Sequence, residues 1–256
     1  MKKMVFLCFA LFSAAVASAQ TLKIMSYNIH HGADKAEVNT LDSIAAFIKN
    51  SGADLIGLQE IDSVCKRSGN VDQMKRLGEL TGFHYAFVRH LAYDGGAYGQ
   101  GILSRYPISE IKNHRITLLK KDGPKDSRAL LSVLVALPNK KKLVFASVHF
   151  ALDVESRLIQ SDETINYLQN KKWPVILTGD LNAEPTTQEV LNLQRYFAAT
   201  DPKSLMTYPE RGPKKKIDYV FVSKDFFGSA SDVNTYPTNF LSDHLPLACR
   251  VTLKWK

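Results

Sequence analysis

The sequence predicts an α/β fold in which two β-sheets face each other and helices cover their outer faces. Three observations carry that expectation. Short apolar, β-branched runs recur along nearly the whole chain, separated by Gly, Pro and Lys-rich turns. Stretches with helical spacing are few, three or four against roughly ten strands. Several strands also close on polar or ionisable residues, as expected where strand ends converge on one rim. So many strands with so few helices bury best as two sheets with their inner faces together.

The chain opens with basic Met1-Lys2-Lys3 and an apolar run from Met4 to Val16, followed by Ala17-Ser18-Ala19. That is the pattern of a signal peptide over residues 1–19, with small residues at the cleavage site and Gln20 as the expected mature N-terminus. A retained anchor would need about 20 apolar residues, and this run is shorter. Cys8 lies inside the run, which argues against lipid attachment at the cleavage point. The expected product is exported, periplasmic or extracellular, and lacks a transmembrane segment after cleavage.

Residues 20–256 carry no repeat, low-complexity tract or linker, so one domain is expected. Leu22–Ile29 reads as a strand, and Ala36–Asn50 as a helix with Val38, Leu41, Ile44, Ala45 and Ile48 at helical spacing and Gly52 as its stop. Asp54–Glu60 is a second, largely buried strand, and Val71–Thr81 a second helix closed by Gly82. Strands are expected at 83–88, 101–104, 108–116, 129–136 and 143–148, then a helix at 154–169. Strands at 174–178, 217–222 and 245–253 complete the chain.

The formal charge of +8 suits an anionic substrate or surface. The runs Lys140–Lys142 and Lys214–Lys216 nevertheless read as solvated turns. Cys65 and Cys249 are the cysteines beyond the leader, too few for a disulfide framework; one bridge or two free buried thiols are both open.

Six segments end strands on polar residues: Ser26-Tyr27-Asn28, Leu58-Gln59-Glu60, Ser147-Val148-His149, Thr178-Gly179-Asp180-Leu181-Asn182, Ile217-Asp218-Tyr219 and Ser242-Asp243-His244. Each has a bland reading. Glu60 could be a solvated end, His149 a core histidine, the Asp180–Asn182 pair an Asx turn and Asp243 a cap. Together they supply hard oxygen donors for a cation such as magnesium, and Asp–His pairs able to activate water. The chain has no Gly-x-Ser-x-Gly elbow. A metal beside a carboxylate-supported histidine is the equipment of phosphate-ester hydrolysis.

These segments, with Gly99-Gln100-Gly101-Ile102-Leu103-Ser104-Arg105, occur in the order and rough spacing of the endonuclease/exonuclease/phosphatase superfamily, which the chain resembles over its expected mature length. The resemblance implies a deoxyribonuclease-I-like four-layer α-β-β-α sandwich of two mixed, mostly antiparallel sheets. It implies a Mg2+- or Mn2+-dependent phosphoric ester hydrolase, with Glu60 as principal metal ligand and Asn28 and Asp243 beside it. By the same matching, His244 faces the scissile phosphate and Asp218 orients it. Asp180 and Asn182 position water and a phosphate oxygen, His149 faces the phosphate, and the base is shared between Asp180 and His244. Gln100 stands where a glutamate would support His149. Arg128, Arg67 and His31 are expected near substrate. The lead substrate is a small or lipid-linked phosphate ester, such as a phospholipid headgroup or sugar phosphate. A secreted nuclease is the alternative, although the basic residues look scattered for a nucleic-acid track. An inactive binding module of the same fold is the alternative of another class.

Overall fold

The computed structural model describes residues 20–120, 126–238 and 240–255. The expected leader lies outside the described residues. Those residues hold two six-stranded sheets. The first contains β1 (Gln20–Asn28), β2 (Leu55–Ser63), β3 (His84–Tyr93), β4 (Gly96–Ser104), β11 (Phe227–Thr235) and β12 (Leu247–Leu253), in the order β11-β12-β1-β2-β4-β3. The second contains β5 (Ile108–Leu118), β6 (Asp126–Ala136), β7 (Lys142–His149), β8 (Val175–Asp180), β9 (Phe197–Ala199) and β10 (Asp218–Ser223), in the order β5-β6-β7-β8-β10-β9.

Each sheet buries both faces. Ile24, Leu55, Leu131, Phe145, Ile176 and Val251 meet in the core between the sheets. On the outer side of the first sheet, Met25, Ile56 and Leu103 pack under α1 (Leu41–Ser51) and α2 (Gln73–Thr81), through Ile44, Ile48 and Leu77. On the outer side of the second, Val148, Leu177 and Phe221 pack under α3 (Val154–Leu168) and α4 (Gln188–Tyr196), through Ile165, Val190 and Leu193. Helix, sheet, sheet, helix is the predicted four-layer sandwich. The sheets approach closely at Gly57, where a Cβ would overlap the Thr178 side chain of the facing sheet.

β1 runs parallel to β2, and β7 parallel to β8, so the C-terminal ends of all four strands point to one rim. β10 lies antiparallel to β8, with Asp218 opposite Asp180. Thus the rim collects four strand ends and also the start of β10 and the segment leading into β12. No helix among the described residues is long and apolar enough to cross a membrane.

Three expectations are corrected. The first helix begins at Leu41, not Ala36, because residues 33–39 close a loop by pairing Ala33 with Asn39. The lysine run at 214–216 is a solvated turn only in part: Lys214 and Lys215 are exposed, Lys215 at the edge of the main pocket, but Lys216 is buried against Asp201 at 2.9 Å. Strands β9 and β11 and helix α4 were not anticipated. β11 is an exposed edge whose Ser, Asp and Asn residues give no strand signal, and α4 buries little beyond Val190 and Leu193. The open question about the cysteines resolves in favour of two free thiols, both buried.

Candidate active site

The rim opens into a pocket of about 760 Å3 lined by Glu60, Arg128, His149, Asp180, Asn182, Asp243 and His244. Two of these residues are aimed by unusual backbone. Glu60 sits in a β-bulge, where the register of β2 against β4 slips between Leu58 and Ile61, and its φ is 59°. Bulges re-aim side chains, and left-handed non-glycine residues persist only where the surroundings hold them. Asn182 has φ 48° and donates its backbone N–H to Asp180 Oδ1 at 2.9 Å. This is the local turn foreseen as a bland reading, and it also turns Asn182 toward His149.

His244 lies between two carboxylates. Its Nδ1 is 2.9 Å from Asp218 Oδ2, and its Nε2 is 3.7 Å from Asp180 Oδ2. The Tyr208 ring packs on it at 4.8 Å. Burial disfavours the imidazolium, but Asp218, then Asp180 and Asp243, outweigh burial and lift the His244 pKa to about 10. Burial, followed by the Asp218 charge, pushes Asp180 up to about 7. Near neutral pH the pair is therefore a cationic His244 beside a carboxyl poised to exchange a proton.

His149 differs. Burial, reinforced by Arg128, His90 and His244, holds it well below the usual histidine range, so it is neutral. Its Nε2 is 3.1 Å from Asn182 Nδ2, and its Nδ1 is buried without a hydrogen-bond partner. Gln100 does not support it. The Gln100 side chain donates to the Ala129 carbonyl and accepts from Ser147 Oγ at 3.0 Å, tying the two sheets together. The residue beside His149 is His90, whose ring lies 6.3 Å away and whose Nδ1 accepts from the Ala129 N–H. A lone histidine in a β-strand carries no sequence signal for that place.

Asn28 was expected among the metal ligands. Its oxygen accepts from the His30 N–H at 3.0 Å, and its Nδ2 donates to Glu60 at 2.9 Å and to Asp180 at 3.1 Å. Asn28 therefore braces two carboxylates. Arg128 reaches the pocket while donating to the His149 and Phe150 carbonyls at 3.1 and 2.7 Å. Arg67 does not line the pocket: it pairs with buried Asp62 at 2.8 Å and stacks on Tyr93 and Tyr98, the latter a pocket wall. His31 is also outside, paired with Glu37 at 2.8 Å. Tyr98, Tyr208 and Lys215 line the pocket and were not picked from the sequence. Tyr208 and Lys215 pair across the loop before β10, a link invisible to local pattern.

A hard divalent cation suits this donor set. Glu60 and Asp243 present carboxylates to the pocket, and Asp243 Oδ1 is buried without a partner. Asp180, Asp218 and His244 also place ligand atoms within 4.8 Å of one another, but Asp218 Oδ2 is committed to His244.

The sequence pattern of the Endonuclease/Exonuclease/phosphatase family matches residues 25–244. The uncharacterized protein YbhP of Escherichia coli K12 is 22% identical over 249 residues, spanning 91% of this chain and 97% of its own. A Beutenbergia cavernae endonuclease/exonuclease/phosphatase structure has a TM-score of 0.71 at 23% identity, over 91% of this chain and 72% of that one. The human Nocturnin catalytic domain with bound sulfate has a TM-score of 0.71 at 21% identity, over 91% and 95%. A mannosyl-6-phosphatase of Bacteroides thetaiotaomicron has 0.68 at 18% identity, over 90% and 99%. At these identities the structures speak for the fold.

Proposed function

This chain belongs to the endonuclease/exonuclease/phosphatase family, and from that premise we propose that it is an exported, divalent-metal-dependent phosphoric ester hydrolase acting on a small or lipid-linked phosphate ester. The observation that carries the reading is His244 held between Asp218 and Asp180 at the wall of the pocket. Asp180 takes a proton from the attacking water, since a carboxyl titrating near 7 is matched to neutral pH. His244, kept cationic by Asp218, faces the phosphate and stabilises its developing charge. Asn182 and neutral His149 orient phosphate oxygens, and Arg128 adds a fixed positive charge. Glu60 and Asp243 would hold Mg2+ or Mn2+, whose charge would offset that of the phosphate.

The lining favours a compact substrate over a nucleic acid. Arg157 is neutralised by buried Glu189, which leaves Arg128, Lys215 and cationic His244 as the positive charges of the wall, a compact cluster. A polynucleotide track requires a longer run of positive charge. The sugar-phosphate substrate in the name of the Bacteroides relative is consistent with this choice. Export rests on the leader pattern of residues 1–19 alone.

Residues 20–256 should release p-nitrophenol from bis-p-nitrophenyl phosphate with magnesium or manganese, and His244→Ala should abolish release. Equal release by both proteins, or none with either metal, would sink the enzymatic reading. A panel of sugar phosphates, phosphatidylinositol, sphingomyelin and DNA then ranks substrates, and fastest turnover of DNA would replace the small-ester reading with a nuclease. A mature N-terminus other than Gln20 in exported material would refute the cleavage site.

A further inference from the structure

Beyond Asn28 the chain makes a loop whose construction the hydrolytic site does not require. His30, His31 and Glu37 all adopt left-handed backbone, with φ of 44°, 44° and 62°. Such conformations are uncommon outside glycine and persist where surrounding structure imposes them. The imposing structure is visible. Ala33 pairs with Asn39, and Asp34 Oδ1 accepts the N–H groups of Ala36 and Val38 at 2.8 and 2.9 Å. The turn thereby returns Glu37 onto the histidines. Glu37 Oε2 is 2.8 Å from His31 Nε2, and Oε1 is 3.8 Å from His30 Nε2.

An ordinary ion pair accounts for His31 with one carboxylate oxygen. It does not account for His30 reaching toward the second oxygen of the same carboxylate, or for His30 Nδ1 lying buried without a partner. His31 is buried, His30 partly exposed and Glu37 exposed, so an ion could arrive from solvent and shed part of its water against the imidazoles.

We propose that His30, His31 and Glu37 form a second cation site, for a zinc-class divalent ion, apart from the oxygen-rich centre of Glu60 and Asp243. Two imidazoles and one carboxylate are a donor set for zinc, whereas magnesium prefers oxygen alone. Bonds of about 2.0–2.1 Å in a tetrahedron place ligand atoms roughly 3.3 Å apart. The three ligand atoms, one from each residue, lie within 4.8 Å of one another, somewhat wider than that spacing. Side-chain rotation would close the set around an ion, with water in the fourth position. The site also touches the catalytic rim, because the His30 N–H holds the oxygen of Asn28, which braces Glu60 and Asp180.

The test is zinc stoichiometry on the purified chain after chelator treatment, by equilibrium dialysis against Zn2+ in excess Mg2+. The wild type should retain one more equivalent of zinc than His31→Ala or Glu37→Gln, whose affinity for that equivalent should fall at least 100-fold. Glu60→Gln should retain that equivalent, and Co2+ in its place should give the visible absorption of a four-coordinate ion. Zinc binding unchanged in Glu37→Gln, or zinc lost with Glu60→Gln, would overturn the proposal. Glu37 is an exposed loop residue, so its variant decides the matter even where His31→Ala folds poorly.

Discussion

Replacing Asp218 by asparagine removes a charge from beside His244 while nearly preserving the shape that holds it. His244 is lifted to about 10 from an ordinary 6.5. At about 1.36 kcal/mol per pH unit, that is a net preference for the imidazolium of roughly 5 kcal/mol. Asp218 is its largest source, in contact at 2.9 Å and fully buried, with Asp180 and Asp243 behind it. Losing even half of that preference, roughly 2–3 kcal/mol, lowers the ratio of imidazolium to imidazole by about two orders of magnitude. Two further effects follow. Asp180 loses the like charge opposite it in the sheet, so its pKa falls from about 7 and it becomes a weaker base. The new amide N–H2 would also occupy the place of Asp218 Oδ1, which has no partner, at a stability cost of about 1–3 kcal/mol. The expected result is a fall in kcat of roughly 10^2–10^4, with the alkaline limb of the pH–rate profile moved to lower pH. Asp218→Asn combined with His244→Ala should be no slower than His244→Ala alone, because the two residues act as one unit. Turnover of bis-p-nitrophenyl phosphate within threefold of wild type, with an unmoved alkaline limb, would refute the reasoning.

Three other outcomes follow from the same geometry. A histidine whose folded pKa is raised stabilises the fold fully below its unfolded value near 6.5 and loses that contribution as pH rises through about 10; urea melts in chelator should therefore show wild-type stability falling from pH 7 to 10, and a flatter profile in Asp218→Asn. Lys216→Met leaves buried Asp201 without its cation and should cost about 3–5 kcal/mol in urea unfolding, whereas an unchanged midpoint would show that Asp201 is solvated. Gly57→Ala drives a methyl into Thr178 across the sheet interface and should lower stability by about 1–3 kcal/mol; a neutral result would mean the sheets can separate locally at no cost.

The order and chemistry of the rim were legible in the chain. Asn28, Glu60, His149 and Asp180 toward the ends of strands, Asp218 at the start of one and His244 just before another stand out because a buried strand is otherwise apolar, and that contrast is local. The two-sheet, helix-flanked architecture was legible for the same reason. Its central strands read as apolar runs because both of their faces are buried, one against the other sheet and one against helices. What was not legible depended on residues distant in sequence. β11 is a polar edge strand whose pairing with β12 supplies what its composition does not. Gln100 could be placed on its strand, but whether it turned toward His149 or Ser147 was decided by the facing sheet. Asn28 was known to be near Glu60, and only the His30 N–H shows which end of its amide faces the carboxylates. Arg67 and Lys216 looked like free cations until Asp62 and Asp201 were found buried against them. Residue type and period, which are local properties, determine which groups arrive at the rim. Protonation and orientation depend on burial and on charges brought within a few ångströms from elsewhere in the chain, so only the folded structure decides what those groups do there.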